Sequence, residues 1–240
     1  MLVNQYIRQT GLFNPLVICQ PMVTIIGAGG IGSHVALVLA KMGLTRLRVF
    51  DPDTIDVHNV SNQLYGPDQI GEFKVYALAH LIKAATGTVI NDAFPEAYVN
   101  QPLSEIVISG LDSLETRRVL WHQIRCQWVT NLYIDGRMGG EQVTVFPVDI
   151  GQPDQVKAYT KSIQPRVVAE DVPCTERAII YSLWFCAAAI GKIIQAHLTD
   201  QVLPTEFLAD LRNFNLFFVQ LPQPSQQTVV AAAVAEEVAA

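Results

Sequence analysis

The stretch from residue 23 to residue 51 constrains the fold more than any other. Val23-Thr24-Ile25-Ile26 is a short β-branched run of the kind that makes a buried strand. Gly27-Ala28-Gly29-Gly30-Ile31-Gly32 then fits G-x-G-x-x-G, residues 33–42 carry a helical pattern, and Gly43 ends it. Leu47-Arg48-Val49-Phe50 reads as a second strand, closed by Asp51. Strand, glycine loop, helix, strand and acid in this order make a βαβ unit able to hold a nucleotide. Gly27 permits the tight turn, Gly29 lets backbone approach a phosphate, and Gly32 lets the helix pack on the strand. The helix start offers free N–H groups and a positive dipole end to an anion. Asp51 can accept hydrogen bonds from ribose hydroxyls. A tight turn without a ligand would explain one or two of the glycines, but hardly all three and the acid.

The remaining chain fits an α/β architecture. At 240 residues and 50% hydrophobic, it can bury one sizeable core. Residues 51–71 are polar and turn-rich, as a connection covering a site often is. Residues 74–83 show a helical face in Val75, Leu78, Ala79 and Ile82. Thr88-Val89-Ile90 begins a third strand and Ile106-Val107-Ile108-Ser109 makes a fourth, left through Gly110-Leu111-Asp112. A helix over 113–121, a strand over 128–134, a flexible loop over 135–140 and a strand over 142–148 follow. An irregular connection over 151–172 leads to a long apolar helix over 175–197 and a last strand over 213–219. The expected fold is therefore a Rossmann-like nucleotide-binding sheet, parallel in the first half and antiparallel in the second, flanked by helices. Gly27–Gly32, Asp51 and Asp112 fall at strand carboxyl ends and should converge on one crevice.

Charge and cysteine usage narrow the function. The net charge of −6 and the lack of a basic run disfavour nucleic acid as the main partner. Residues 1–10 are polar and the apolar stretch 178–190 is too short to span a bilayer, so neither a signal peptide nor a membrane span is expected. Cys19, Cys126, Cys174 and Cys186 form no C-x-x-C pair, which argues against structural zinc and for a reduced, cytoplasmic protein. Cys19, Cys126 and Cys186 read as core, His34 as packed on its helix, and His58 as a loop residue.

In order, Tyr6-Ile7-Arg8-Gln9, G-x-G-G-x-G, Asp51, Asn59, Gln63, Lys74 and Asp112 resemble the ThiF/MoeB/HesA family, bacterial relatives of ubiquitin-activating enzymes. The likeness runs from about residue 4 to about residue 218. It implies an adenylyltransferase that binds ATP and Mg2+. Its substrate would be the C-terminal glycine carboxylate of a small ubiquitin-fold or sulfur-carrier protein ending in Gly-Gly. It further implies a homodimer. Residues 1–220 would form one adenylation domain, with an N-terminal arm and a crossover loop near 151–175, and residues 221–240 a flexible tail.

The resemblance also assigns roles. Gly27, Gly29, Gly30 and Gly32 match the phosphate loop. Asp51 matches the ribose acid, with Asp53 beside it in the nucleotide set. Asn59 and Gln63 match an N-x-x-R-Q element, Lys74 the phosphate lysine, and Asp112 the magnesium aspartate. Arg8 matches an arginine that reaches the partner's ATP. Asn62 stands where the family carries arginine, and Arg117, Arg118 and Arg137 are candidates to compensate. The family's zinc-binding cysteine pairs are absent. Cys174, in Pro173-Cys174-Thr175-Glu176-Arg177 ahead of a helix, resembles a thioester-forming cysteine; a helix start favours the thiolate. The alternative for it is a structural cysteine. Three rivals remain for the whole chain: an NAD-dependent oxidoreductase, a tRNA-modifying adenylating dehydratase, and a non-catalytic partner-binding pseudoenzyme. The first gives no role to Arg8, Asn59, Gln63, Lys74 and Asp112 as a set.

Overall fold

The computed structural model describes residues 5–90, 92–164 and 178–219. Strand β1 (Val23–Ile26) is buried along its whole length, as a central parallel strand must be. Gly27, at φ 96°, turns the chain into α1 (Gly30–Met42). Gly43, at φ 97°, closes that helix in the left-handed conformation, its N–H bonding back to the Ala40 carbonyl and the Leu44 N–H to the Leu39 carbonyl. Strand β2 (Leu47–Phe50) returns parallel to β1, in a register that pairs Ile26 with Phe50.

The rest of the chain extends this unit on both sides. After β2 come 3-10 turns at Val57–Asn59 and Pro67–Gln69, then α2 (Lys74–Thr86), β3 (Asp92–Phe94) and β4 (Ile106–Ser109). Helix α3 (Leu114–Cys126), strands β5 (Leu132–Gly139) and β6 (Gln142–Asp149), and α4 (Pro153–Ser162) follow. The long helix α5 (Ile180–Leu198) precedes β7 (Glu206–Asp210) and β8 (Asn215–Val219). One eight-stranded sheet runs in the order β3-β2-β1-β4-β5-β6-β7-β8. It is parallel from β3 to β5 and antiparallel from β5 to β8. The order reverses between β1 and β4, which opens a crevice at their carboxyl ends.

Helices cover both faces. On one, Val23, Ile25, Ile108 and Ile134 pack with Val35, Leu39 and Leu78 and with Ile190 and Ile194 of α5. On the other, Ile26, Val107 and Tyr133 meet Leu120, Trp121 and Ile124 of α3 and Tyr159 of α4. Neighbouring residues of one strand thus serve opposite cores, each buried large side chain contributing roughly 1.5–3 kcal/mol.

Several elements differ from their sequence-based placement. Residues 135–139 are not a flexible loop but the second half of β5, paired with β6 out to Gly139–Gln142. Gly136 is there for close packing: a Cβ on it would lie 3.2 Å from Ile31 and 3.3 Å from Ile190. The turn shrinks to Gly140-Glu141, with Gly140 at φ 63°. The third strand begins at Asp92, not at Thr88, and the fifth at Leu132, because α3 runs on to Cys126 and Trp128 is fully exposed. The connection expected to be irregular contains α4, opened by Pro153 at its first turn. Strand β7 has no counterpart in the sequence reading; its alternation places only Phe207 and Ala209 inside. Cys19 and Cys126 are exposed rather than core, since apolar neighbours such as Leu16 and Val17 themselves face solvent, whereas Cys186 is buried. Cys174 and the tail over 221–240 lie outside the described residues. Among the described residues no helix is long and apolar enough to cross a membrane.

Candidate active site

The crevice at the ends of β1, β2 and β4 holds about 480 Å³. Gly27, Gly29, Gly30, Asp51, Asp53, Gln63, Lys74 and Asp112 all line it. The sequence placed these residues on five separate segments, and the fold gathers them.

The glycines matter because of close approach. A Cβ on Gly32 would sit 1.8 Å from the Gly27 carbonyl oxygen, and one on Gly27 would sit 3.1 Å from the Gly110 carbonyl oxygen. The start of α1 is therefore pressed against the ends of β1 and β4. No acidic side chain stands in its first turn, which leaves the N–H groups and the positive helix end to an outside anion. The Tyr65 hydroxyl donates to the Ala28 carbonyl at 2.6 Å and pins the loop from the turn-rich connection. Burial pushes that phenol well above its ordinary pKa, so it stays a donor.

Asp51 is buried behind the loop. Its carboxylate accepts from the Ala28 N–H at 2.6 Å and the Asp53 N–H at 2.8 Å. Burial raises its pKa above the ordinary value, against the opposing pull of those two backbone bonds. Lys74 opens α2 and is buried, its ammonium 2.7 Å from the Asp53 carboxylate. A buried cation at a helix N-terminus is held against the dipole, so keeping this charge in the crevice costs the fold stability.

Other predicted residues have distinct positions. Gln63 lies over the loop, its amide nitrogen 3.9 Å from where a Gly29 Cβ would be. The side-chain oxygens of Gln63 and Asn62 are buried without a hydrogen-bond partner, as expected of groups facing a ligand cradle. Asp112 is exposed at the boundary with a second cavity. Asn59 does not reach the crevice; its side chain accepts from the Asp56 N–H at 2.9 Å and holds the turn. Arg8 is exposed on the N-terminal arm, which packs at the far end of α1: Gln9 donates to the Met42 carbonyl at 2.7 Å. That end is about 20 Å from the glycine loop at 1.5 Å rise per residue.

The second cavity holds about 530 Å³ and shares Gly30, Gln63, Gly110, Leu111 and Asp112 with the first. Its wall carries Arg117 and Arg137 beside Asn62. Both guanidiniums bond to the fully buried Asp135, Arg117 at 2.9 Å and Arg137 at 2.7 Å. Ser109 and Tyr159 also donate to Asp135, at 2.9 and 3.0 Å. Arg118 turns away to the Ile163 carbonyl, so of the three arginines considered as candidates two face the second cavity. Sequence reading missed Tyr65, Asp135 and Tyr159. The dipeptide Gly136-Arg137 looked like a loop, and a tyrosine pinning a carbonyl leaves no motif.

The pattern of the ThiF family matches residues 16–234 of this chain. The chain belongs to the ThiF family. Its curated relatives include the adenylyltransferase and sulfurtransferase UBA4 of Candida albicans, 33% identical over 86 residues, which cover 35% of this chain and 20% of that protein. The NEDD8-activating enzyme E1 catalytic subunit of Dictyostelium discoideum is 31% identical over 158 residues, covering 60% of this chain and 33% of that one. This ThiF-family chain thus spans a third or less of those relatives. Among solved structures, E. coli MccB crystallised with ATP superposes with a TM-score of 0.70 at 15% identity, covering 92% of this chain and 72% of that one. PaaA superposes with a TM-score of 0.62 at 19% identity, covering 85% and 65%. At these identities the likeness is one of fold.

The ThiF-family crevice also has the donors that ATP and Mg2+ require. Helix N–H groups and Lys74 suit phosphates, and Asp51 suits a ribose. Among the described residues no group of three or more His, Cys, Asp or Glu side chains could hold a metal. Mg2+ needs no such cage, since it keeps waters and phosphate oxygens and takes one or two carboxylates. Asp112 fits that role.

Proposed function

We propose that this chain uses ATP to adenylate the C-terminal carboxylate of a small ubiquitin-fold or sulfur-carrier protein. The observation carrying this reading is the convergence of the glycine loop, Asp51, Lys74 and Asp112 on one crevice at the sheet's switch point. Bound ATP supplies the α-phosphorus that the carboxylate oxygen attacks, with pyrophosphate leaving. Two anions must meet in that step, so cations and aligned N–H groups around them carry the catalysis. The α1 N-terminus and Lys74 neutralise phosphate charge, Asp51 orients the ribose, and Asp112 holds Mg2+. The family membership and the adenylyltransferase and sulfurtransferase UBA4 support the reaction class, and the NEDD8-activating relative supports a ubiquitin-fold substrate.

The finer parts of the reading follow. Residues 1–220 work as one adenylation unit in the cytoplasm. Arg8, remote from its own crevice, completes the site of a second copy in a homodimer. The Cys174 thiolate then attacks the acyl adenylate, forming a thioester and releasing AMP. Pyrophosphate exchange with candidate carriers ending in Gly-Gly tests the reaction. Wild type should exchange with its carrier and Asp112→Ala, folded by circular dichroism, should not. Unchanged exchange in that variant would refute the role of Asp112.

A further inference from the structure

The two cavities divide the charged groups between them. The first carries Asp51, Asp53 and Lys74 but neither arginine. The second carries Arg117 and Arg137 but none of those three. Gly30, Gln63, Gly110, Leu111 and Asp112 are common to both. A nucleotide seated in the first cavity leaves the arginine wall of the second to face another molecule, and the two would meet along that shared edge at Asp112.

That second wall has an unusual charge balance. Two guanidiniums share one buried carboxylate, so the cluster carries one net positive charge. Asp135 takes the Nε of each, Arg117 gives one Nη to the Gly136 carbonyl, and Arg137 gives its Nη groups to Ser162. Each guanidinium has further N–H bonds to give. Arg137 is also fixed by its ring contacts, 4.4 Å over Phe146 and 5.5 Å over Tyr159. A rigid, desolvated cation costs stability, which is recovered when an anion binds. One net charge matches a single carboxylate; a triphosphate would need several cations.

We propose that Arg137, locked with Arg117 onto Asp135, is a specificity residue that binds the substrate's terminal carboxylate and presents it to the nucleotide. This deepens the adenylation reading and rests on it. The pair would select peptide termini with a free carboxylate and hold one oxygen towards the crevice, through the N–H groups that Asp135, Gly136 and Ser162 leave free.

The test titrates a short peptide ending in Gly-Gly, as free acid and as C-terminal amide, into protein saturated with the ATP analogue AMPCPP. In wild type the acid should bind at least about tenfold tighter than the amide, the size of a charge-assisted bond. Arg137→Met keeps the stem and should erase that difference while AMPCPP affinity changes less than about twofold. Arg137→Lys should keep part of it. Equal binding of acid and amide, no detectable binding of either at millimolar peptide, or an Arg137→Met variant that weakens AMPCPP instead would overturn the proposal. Failure of AMPCPP to bind wild type would count against the adenylation reading itself.

Discussion

The Lys74 ammonium stands 2.7 Å from the Asp53 carboxylate, yet the lysine is buried and the aspartate is largely exposed. The pair is lopsided: Asp53 can swing into solvent, whereas Lys74 cannot leave. Under the proposed function, Asp53 would be a placeholder that a phosphate displaces, and Lys74 the fixed charge. Lys74→Ala should weaken ATP by about 10–100-fold, the range of a charge-assisted hydrogen bond. Asp53→Asn should leave affinity within a few-fold or raise it. Calorimetric titration of both variants checks the asymmetry, and equal losses would show that Asp53 itself contacts the nucleotide.

Gly32 offers a backbone test. A Cβ added there would stand 1.8 Å from the Gly27 carbonyl oxygen, which leaves no room for alanine without lifting α1 from β1. Gly32→Ala should destabilise the fold by more than about 2 kcal/mol, above the ordinary range for surface changes. Gly71, with φ 93° but nothing within 4 Å, is the control: its alanine variant suffers only local strain. Thermal unfolding of the two variants should separate them clearly.

His34 gives the fold a pH signature. It is fully buried in α1, its Nδ1 2.6 Å from the Gly30 carbonyl and its Nε2 without a partner. Burial lowers its pKa below the ordinary 6.5, outweighing the Gly30 bond. Between the lowered value and 6.5 the unfolded chain binds more protons than the folded one. Stability from this residue is therefore complete above that window and lost as pH falls through it. His34→Gln should flatten the dependence of melting temperature on pH in mildly acidic buffer. Some slope should persist, because burial lowers His197 as well.

The βαβ unit was legible because its signal is local in sequence: strand, glycine loop, helix, strand and acid follow one another between Val23 and Asp51, although Gly27 and Gly30 answer contacts from distant Gly110 and Leu183. Lys74 and Gln63 were legible only through spacing shared with a family, since each alone passes for a surface or turn residue; Asp112 was also marked by its place at a strand's carboxyl end, although alone it passes for a helix cap. The Asp135 cluster was hidden for a different reason. Its partners Ser109, Arg117, Arg137 and Tyr159 come from four elements and meet only when the sheet forms. Gly136 misled because glycine marks close packing as often as flexibility. Strand β7 escaped because its acidic ends, Glu206 and Asp210, mask two inward residues.

As proposed, this crevice is built for ATP rather than for another nucleotide. Equilibrium binding of ATP and NAD to the wild-type chain, with and without Mg2+, tests it most directly when repeated on Lys74→Ala and Asp112→Ala. ATP binding should strengthen with Mg2+, lose that enhancement in Asp112→Ala, and weaken in Lys74→Ala, with NAD bound far more weakly. Preferential binding of NAD, or ATP binding indifferent to both substitutions, would contradict it.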